Sequence, residues 1–383
     1  MTKIGLPISI LEFGSTHIRL AIYDKLILNQ RLFYEEKIDY TRNDNVINEN
    51  SLFNPILKAE KDIGQHLNEI LLLVDSSSVY TLDFSIQKNF DKKKINHLEI
   101  DHLINEAENV IKINNIDKKI LHIIKHQIII DGEIVEYESN NLENANKVII
   151  DLKFILISKS ECEMYKKLFL KKHIKIKNIL CTSYIKCLQI INKNDLKGLN
   201  AFVDIGLKKS SLSIFEDNKL LYLNNTFVSG EHITKDICKI LKLDYRSAEA
   251  RKFKFSKHNK IKEENINSKD DVLLKKIINS RLEEIIELLF FNCPISKKFN
   301  TKTNLNLYFI GNGSKVLNQN FLSFGPEFNF INEMSIMPEE VKECCDGAMN
   351  YLAKEKSFYA QKSIINIENK GFFEKLFNYF SKK

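Results

Sequence analysis

Two stretches decide the fold: "EFGSTHIRLAIYD" (residues 12–24) and "DIGLKKSSLSIFE" (residues 204–216). They align without a gap. Each reads carboxylate, apolar residue, glycine, short polar turn, then an alternating run. Leu20 matches Leu212, Ile22 matches Ile214, Tyr23 matches Phe215 and Asp24 matches Glu216. A strand-like run precedes each copy, "PISIL" (7–11) and "LNAFV" (199–203). Another follows each, "LILNQRLFYEE" (26–36) and "KLLYLNNTFV" (219–228). Period-2 alternation with short turns predicts two three-stranded meanders. Helical patterns come next, at "NPILKAEKDIGQHLNEILLLV" (54–74) and "EHITKDICKILKL" (231–243). The chain thus reads as a duplicated α/β protein.

The repeated feature carries chemistry. A hairpin glycine lets backbone N–H groups approach a polyphosphate, because no Cβ stands in the way. A carboxylate ending the preceding strand, Glu12 or Asp204, suits the water shell of Mg²⁺. Two such hairpins facing each other would grip the phosphates of a nucleotide between two halves of the chain.

The whole chain supports a globular reading. Its 383 residues are 44% hydrophobic and 28% charged, enough for more than one sizeable core. No apolar run is long enough to span a bilayer, and the N-terminus lacks a signal-peptide cleavage pattern. None of the seven cysteines forms a CxxC pair, so neither a zinc site nor a disulfide framework is expected, and a reducing cytoplasm is the simplest setting. Of 57 basic residues, 51 are lysine, which makes the net charge of +7 a compositional bias. Clusters such as "DKKK" (91–94) and "KKHIKIK" (171–177) read as solvated surface, and no nucleic-acid partner is expected. No Ser/His/Asp arrangement or metal-ligand spacing is evident.

With these hairpins the sequence resembles the actin, Hsp70 and sugar-kinase superfamily, and within it most closely the bacterial cell-division family FtsA. "SGEHITKDICKIL" (229–241) is similar to that family's segment through Gly230, His232, Thr234, Asp236 and Ile237. "AEARK" (248–252) resembles a helix lying beside the adenosine, which implies nucleotide contacts for Glu249 and Lys252; a surface i,i+3 ion pair is the alternative. "YFIGNGSKVL" (308–317) resembles the adenosine motif, with Gly311, Asn312, Gly313 and Ser314 at base and ribose. "NILCTSYIKCLQI" (178–190) and "DGAMNYL" (346–352) resemble the two connecting helices.

The resemblance implies a duplicated actin-like (ribonuclease-H-like) fold with an inserted α+β subdomain. Residues 1–79 would form the first half, completed by 158–198 and 344–356, with the insert at 80–157. Residues 199–229 and 304–343 would form the second half, with an outer subdomain at 230–303. It further implies ATP and Mg²⁺ in the cleft, held by Gly14, Ser15, Thr16, Gly206, Lys208 and Lys209. Glu12 and Asp204 would take the metal through water, Asp204 also aligning the attacking water. Arg281, in the helix "IINSRLEEIIELL" (277–289), would meet the acidic FtsZ C-terminal tail; pairing with Glu283 or Glu284 on its own helix is the alternative. Self-association into filaments, contact with later divisome proteins and a place on the cytoplasmic side of the inner membrane at the septum complete the expectation.

The sequence departs from the family in the hairpins. Glu12 stands for the usual Asp, and Leu207, Lys208 and Lys209 stand for Gly-Gly-Thr. Side chains at 207–209 either add positive charge to the phosphates or crowd them, so ATP binding with weak or absent hydrolysis is the reading. His17 reads as an exposed turn residue that could line the cleft, and His232 as structural.

The chain closes with "GFFEKLFNYFSKK" (371–383), after a polar linker at 357–370. On a helical wheel Phe372, Phe373, Leu376, Phe377 and Phe380 share one face and the lysines the other. That pattern fits a helix lying in an anionic membrane interface, or one docked on the protein's own core. FtsA proteins end the same way, which favours the membrane. Rival expectations are a pilus-assembly relative of FtsA, a nucleotide-independent scaffold, or a metabolite kinase, which would have no use for this tail.

Overall fold

The computed structural model describes residues 7–24, 29–38, 49–135, 144–258, 269–300, 303–316, 328–338 and 340–354. The tail at 371–383 and its linker lie outside the described residues, as does the membrane reading attached to them.

The first hairpin pairs β1 (Ile8–Phe13) with β2 (His17–Tyr23), and β3 (Gln30–Lys37) extends the meander. The second pairs β10 (Leu199–Ile205) with β11 (Ser210–Glu216), extended by β12 (Lys219–Thr226). Their registers are the same: Leu11 faces Leu20 as Val203 faces Leu212, and Phe13 faces Ile18 as Ile205 faces Ser210. The turns close alike, with Gly14 N–H donating to His17 O at 3.1 Å and Gly206 N–H to Lys209 O at 3.0 Å. A Cβ on either glycine would stand 2.8 or 2.9 Å from that carbonyl oxygen. Both turns therefore require glycine.

Two parallel strands complete each sheet. In the first half these are β4 (Glu69–Val74) and β9 (Lys175–Cys181), giving the order β3-β2-β1-β4-β9. In the second they are β13 (Leu305–Ile310) and β14 (Ile331–Ile336), giving β12-β11-β10-β13-β14. The helix expected over 54–74 is a helix followed by a strand. Helix α1 (Glu49–Ile63) ends where Gly64 turns left-handed at φ +75°, and the run "EILLLV" becomes β4. An unbroken apolar run suits a parallel strand covered on both faces, and five of its six residues are buried.

Between β4 and β9 the chain builds a separate antiparallel sheet, β5 (Tyr80–Lys94), β8 (Asn144–Ser158), β6 (Lys118–Ile130) and β7 (Glu133–Val135) in that order. Helix α2 (His97–Asn114) packs on it through Ile100, Leu103, Ile104, Ala107 and Ile111. A reciprocal capping box between Asn96 and Glu99 starts that helix. The insert reaches the second half as well. Its His126 Nε2 lies 2.7 Å from Leu220 O, and Thr81 Oγ1 donates to Leu223 O at 3.4 Å, both acceptors on β12.

Helix α3 (Lys159–Leu170) leads into β9, and α4 (Thr182–Asn194) leaves it toward the second half. Helices α5 (Gly230–Leu241), α6 (Tyr245–His258) and α7 (Lys269–Phe291) lie between β12 and β13. A final helix, α8, occupies 343–354. The insert, β9, α4 and α8 meet at His122, which is 2% exposed. Its Nε2 accepts from Cys181 N–H at 2.9 Å, and its Nδ1 lies 3.2 Å from the Tyr351 hydroxyl. The Tyr184 and Tyr351 rings meet it edge-on at 4.9 and 5.3 Å.

Candidate functional site

The two hairpins converge on one cleft. Its lining takes Glu12, Gly14, Ser15, Thr16 and His17 from the first, and Asp204, Gly206 and Leu207 from the second. Gly230, Glu249, Lys252, Gly311, Asn312 and Gly313 close the second-half side. Residues expected at a nucleotide from four separated segments are thus brought together. Ser314 is not among the lining residues: it is buried and its hydroxyl donates to Gly311 O at 2.7 Å, closing the turn.

Gly311 is where the backbone comes closest. Its φ is +86°, and a Cβ there would lie 2.2 Å from Asp204 Oδ1 and 2.8 Å from Ile205 O. A Cβ on Gly313 would lie 2.5 Å from Ile205 O. No side chain fits either position without moving β10. The two glycines let the turn after β13 press against the end of β10, where Asp204 sits.

Helices α4 and α5 open onto the cleft at their first residues, Thr182 and Gly230. The first amides of α5 are already used: Gly230 N–H donates to Gly206 O at 3.0 Å and Glu231 N–H to Leu207 O at 2.9 Å, which ties the helix start to the second hairpin. The positive dipole end of each helix still faces the cleft, which suits phosphate oxygens. Thr182 is 4% exposed, and its hydroxyl has no hydrogen-bond partner among the described residues. A buried hydroxyl without a partner, on a residue of the cleft wall, calls for a ligand atom or a water to satisfy it.

The charged groups are matched in pairs. Arg19 on β2 stands opposite Glu12 on β1 and reaches both of its oxygens at 3.1 Å, while also holding Glu35 at 2.9 Å. Burial works against the Arg19 charge, but Glu12 and Glu35 outweigh it and raise its pKa. In the second hairpin Ser211 occupies the cross-strand place of that arginine, and Lys186 from α4 supplies the cation instead, 2.7 Å from Asp204 Oδ2. Lys252 is 1% exposed; it bonds Gly230 O at 3.1 Å, Thr234 Oγ1 at 2.7 Å and Glu249 at 2.7 Å. Burial lowers its pKa and Glu249 opposes that shift. The Glu249–Lys252 pair therefore exists, but at the cleft wall with Lys252 buried, not as a surface pair.

Lys208 and Lys209 turn away from this lining into an adjoining cavity of about 470 Å³ that shares Gly14, Ser15, Asp75 and Gly206. Lys209 pairs with Asp75 just beyond β4, and Ser183 Oγ donates to the same carboxylate at 2.8 Å. Burial would raise the Asp75 pKa, but Lys209, Ser183 and Lys186 outweigh it and hold the carboxyl below its usual value. Burial lowers the Lys208 pKa, with Glu231 opposing. His17 is half-buried at the rim of the cleft, its pKa lowered by burial. His232 lines the adjoining cavity, its Nδ1 3.3 Å from Ser229 Oγ. Arg19, Asp75, Thr182 and Lys186 were not singled out from the sequence. The register match was the available signal for Arg19, since it puts this residue opposite Glu12.

The donor set does not suit Mg²⁺. Glu12, Asp75 and Asp204 are each engaged by a protein cation, and among the described residues no three His, Cys, Asp or Glu side chains gather as a metal cluster. A nucleotide has a fit of another kind, through Lys186 and Thr182 of α4 and the close-approach glycines.

Arg281 lies elsewhere, on α7. It holds Asp236 of α5 at 2.6 Å and also pairs with Glu284, the partner on its own helix expected as the alternative. Around it a groove of about 400 Å³ runs between α5 and α7, lined by Asp236, Ile240, Leu273, Lys276, Ile277, Ser280, Arg281 and Glu284.

Two like-ordered sheets joined through glycine hairpins at one cleft define the actin-like fold. Among solved structures, the PilM–PilN type IV pilus biogenesis complex superimposes with a TM-score of 0.58 at 12% identity, covering 88% of this chain and 93% of that one. That likeness is one of fold. In sequence, residues 201–350 match the family model described as cell division protein FtsA. A Helicobacter pylori cell division protein FtsA is 24% identical over 195 residues, which is 50% of this chain and 39% of the relative. Another from a second strain of that species is 26% identical over 157 residues, 41% of this chain and 31% of the relative. The matches thus span well under half the length of these relatives.

Proposed function

We propose that this chain is an actin-like cell-division adaptor. It binds a nucleotide, ATP in the first instance, between its two halves with little or no hydrolysis. It assembles into filaments, takes the FtsZ C-terminal tail in the α5–α7 groove, and attaches to the cytoplasmic face of the inner membrane through residues 371–383. The observation carrying this reading is the FtsA family match over 201–350, because that span contains most of β10, all of β11–β14, the cleft glycines of the second half and the groove with Arg281. The groove combines apolar Ile240, Leu273 and Ile277 with Lys276 and with Arg281, whose guanidinium an acidic peptide would have to share with Asp236 and Glu284. Later divisome proteins would meet the assembled filament.

The test is the affinity of an FtsZ C-terminal peptide for wild type and for Arg281→Glu. Reversing this charge leaves Asp236 and Glu284 facing a third carboxylate, so peptide affinity should fall at least about tenfold, or roughly 1.4 kcal/mol. Circular dichroism controls for folding. No binding by wild type sinks the adaptor reading. Unchanged affinity in a folded variant removes only this groove from it.

A further inference from the structure

We propose that the cleft takes its nucleoside di- or triphosphate without a divalent metal, with the Lys186 ammonium standing where a metal ion would otherwise neutralise Asp204. The proposal rests on the reading of the cleft as a nucleotide site. Each carboxylate that could hold a hydrated Mg²⁺ already faces a fixed cation of the chain: Glu12 faces Arg19, Asp75 faces Lys209, and Asp204 faces Lys186 at 2.7 Å. These side chains are mostly withdrawn from water. Lys186 and Asp204 are only 10 and 12% exposed, and Arg19 and Glu12 only 16 and 6%.

A divalent ion entering here would have to displace a buried lysine or sit beside it, and like charges at such distances in a low-dielectric site repel strongly. Magnesium sheds its water reluctantly and is held beside phosphates through one or two carboxylates, and here each such carboxylate is already neutralised by a cation of the chain. A phosphate needs no such vacancy. It finds an ammonium already desolvated and, on the same helix, the buried Thr182 hydroxyl without a protein partner among the described residues. Lys186 and Thr182 sit four residues apart at the start of α4, so one helix presents an ammonium, a hydroxyl and its own N-terminus on the same side. The second hairpin lacks the arginine of the first, and Lys186 replaces it from another element. The compensation is therefore built into both halves by different means.

The test titrates a fluorescent ATP analogue against the full chain in excess Mg²⁺ and in excess EDTA. Wild-type affinity should agree between the two within about threefold, far less than the roughly tenfold that one charge-assisted contact contributes. Lys186→Met should lose about tenfold in EDTA and recover it in Mg²⁺, since the freed Asp204 carboxylate then takes the metal. Lys186→Met combined with Asp204→Asn leaves no unpaired buried charge, so it should fold, bind weakly and show no Mg²⁺ rescue. A wild-type loss of tenfold or more in EDTA overturns the proposal while leaving the nucleotide reading intact. Absence of binding in both conditions removes that reading, and this proposal with it. If Lys186→Met does not fold, the wild-type comparison and the double variant still decide. An unchanged double variant overturns the role of Lys186.

Discussion

His122 should make this protein lose stability in mild acid, by an amount its surroundings fix. The ring is 2% exposed, and burial pushes its pKa down from 6.5 to about 3. Nε2 accepts the Cys181 N–H at 2.9 Å, so a proton placed there would set two donors against each other. The folded chain therefore keeps His122 neutral while the unfolded chain protonates it near pH 6.5. The unfolded state then binds more protons, and stability must fall as pH drops below 6.5, levelling off only near pH 3. At about pH 5 the loss is 1.5 pH units at 1.36 kcal/mol each, about 2 kcal/mol; at its limit it approaches about 5 kcal/mol. The figure at pH 5 holds for any folded pKa well below that pH. Urea unfolding at about pH 7.5 and pH 5, for wild type and His122→Gln, isolates this contribution. Glutamine offers an acceptor to Cys181 without titrating, and His17, whose lowered pKa acts in the same direction, cancels in the comparison. Wild type should lose about 2 kcal/mol more than the variant between the two pH values. Equal losses would refute the reasoning.

Gly311→Ala should cost about 2–5 kcal/mol in chemical denaturation, combining a left-handed backbone at φ +86° with a Cβ pressed against Asp204 and Ile205. Gly64→Ala, at φ +75° with nothing within 4 Å, should cost only about 1–2 kcal/mol, and equal costs would show that crowding at β10 is not real. At the chain end, Phe377→Glu should abolish co-sedimentation with anionic vesicles while Asn378→Glu weakens it modestly. The five apolar side chains amount to roughly one lipid anchor, so binding should rise steeply with protein concentration as filaments hold many tails together. Wild-type sedimentation by Phe377→Glu would end the membrane reading of 371–383.

The duplication was legible because it is a local pattern: carboxylate, glycine and alternation appear in both hairpins, and the structure repeats their pairing residue for residue. The strand inside 54–74 was not, because "EILLLV" lacks any period. Only its burial on both faces, a property of the assembled sheet, distinguishes it from a helix. At the site, glycines were readable since each has a conformational reason to be there. Lys186 was not. Lys186 sits in a lysine-rich chain where one more lysine carries no signal, and it reaches Asp204 only because α4 runs from β9 across to the second sheet. Lys208 and Lys209 lie in the turn of the second hairpin and line the neighbouring cavity, a direction that only the folded turn sets.

The contacts of His126 and Thr81 with the Leu220 and Leu223 carbonyls concern the rim of the second sheet. Strand β12 is its outermost member, and an outermost strand with bare carbonyls is a template onto which any extended segment can zip. Here two of those carbonyls are already taken by side chains, not by another strand, so the insert shields the rim without lengthening the sheet. A side chain can occupy an acceptor but offers no further backbone ladder, and growth in that direction stops. At these two acceptors the edge of the second sheet is closed to strand addition by another chain.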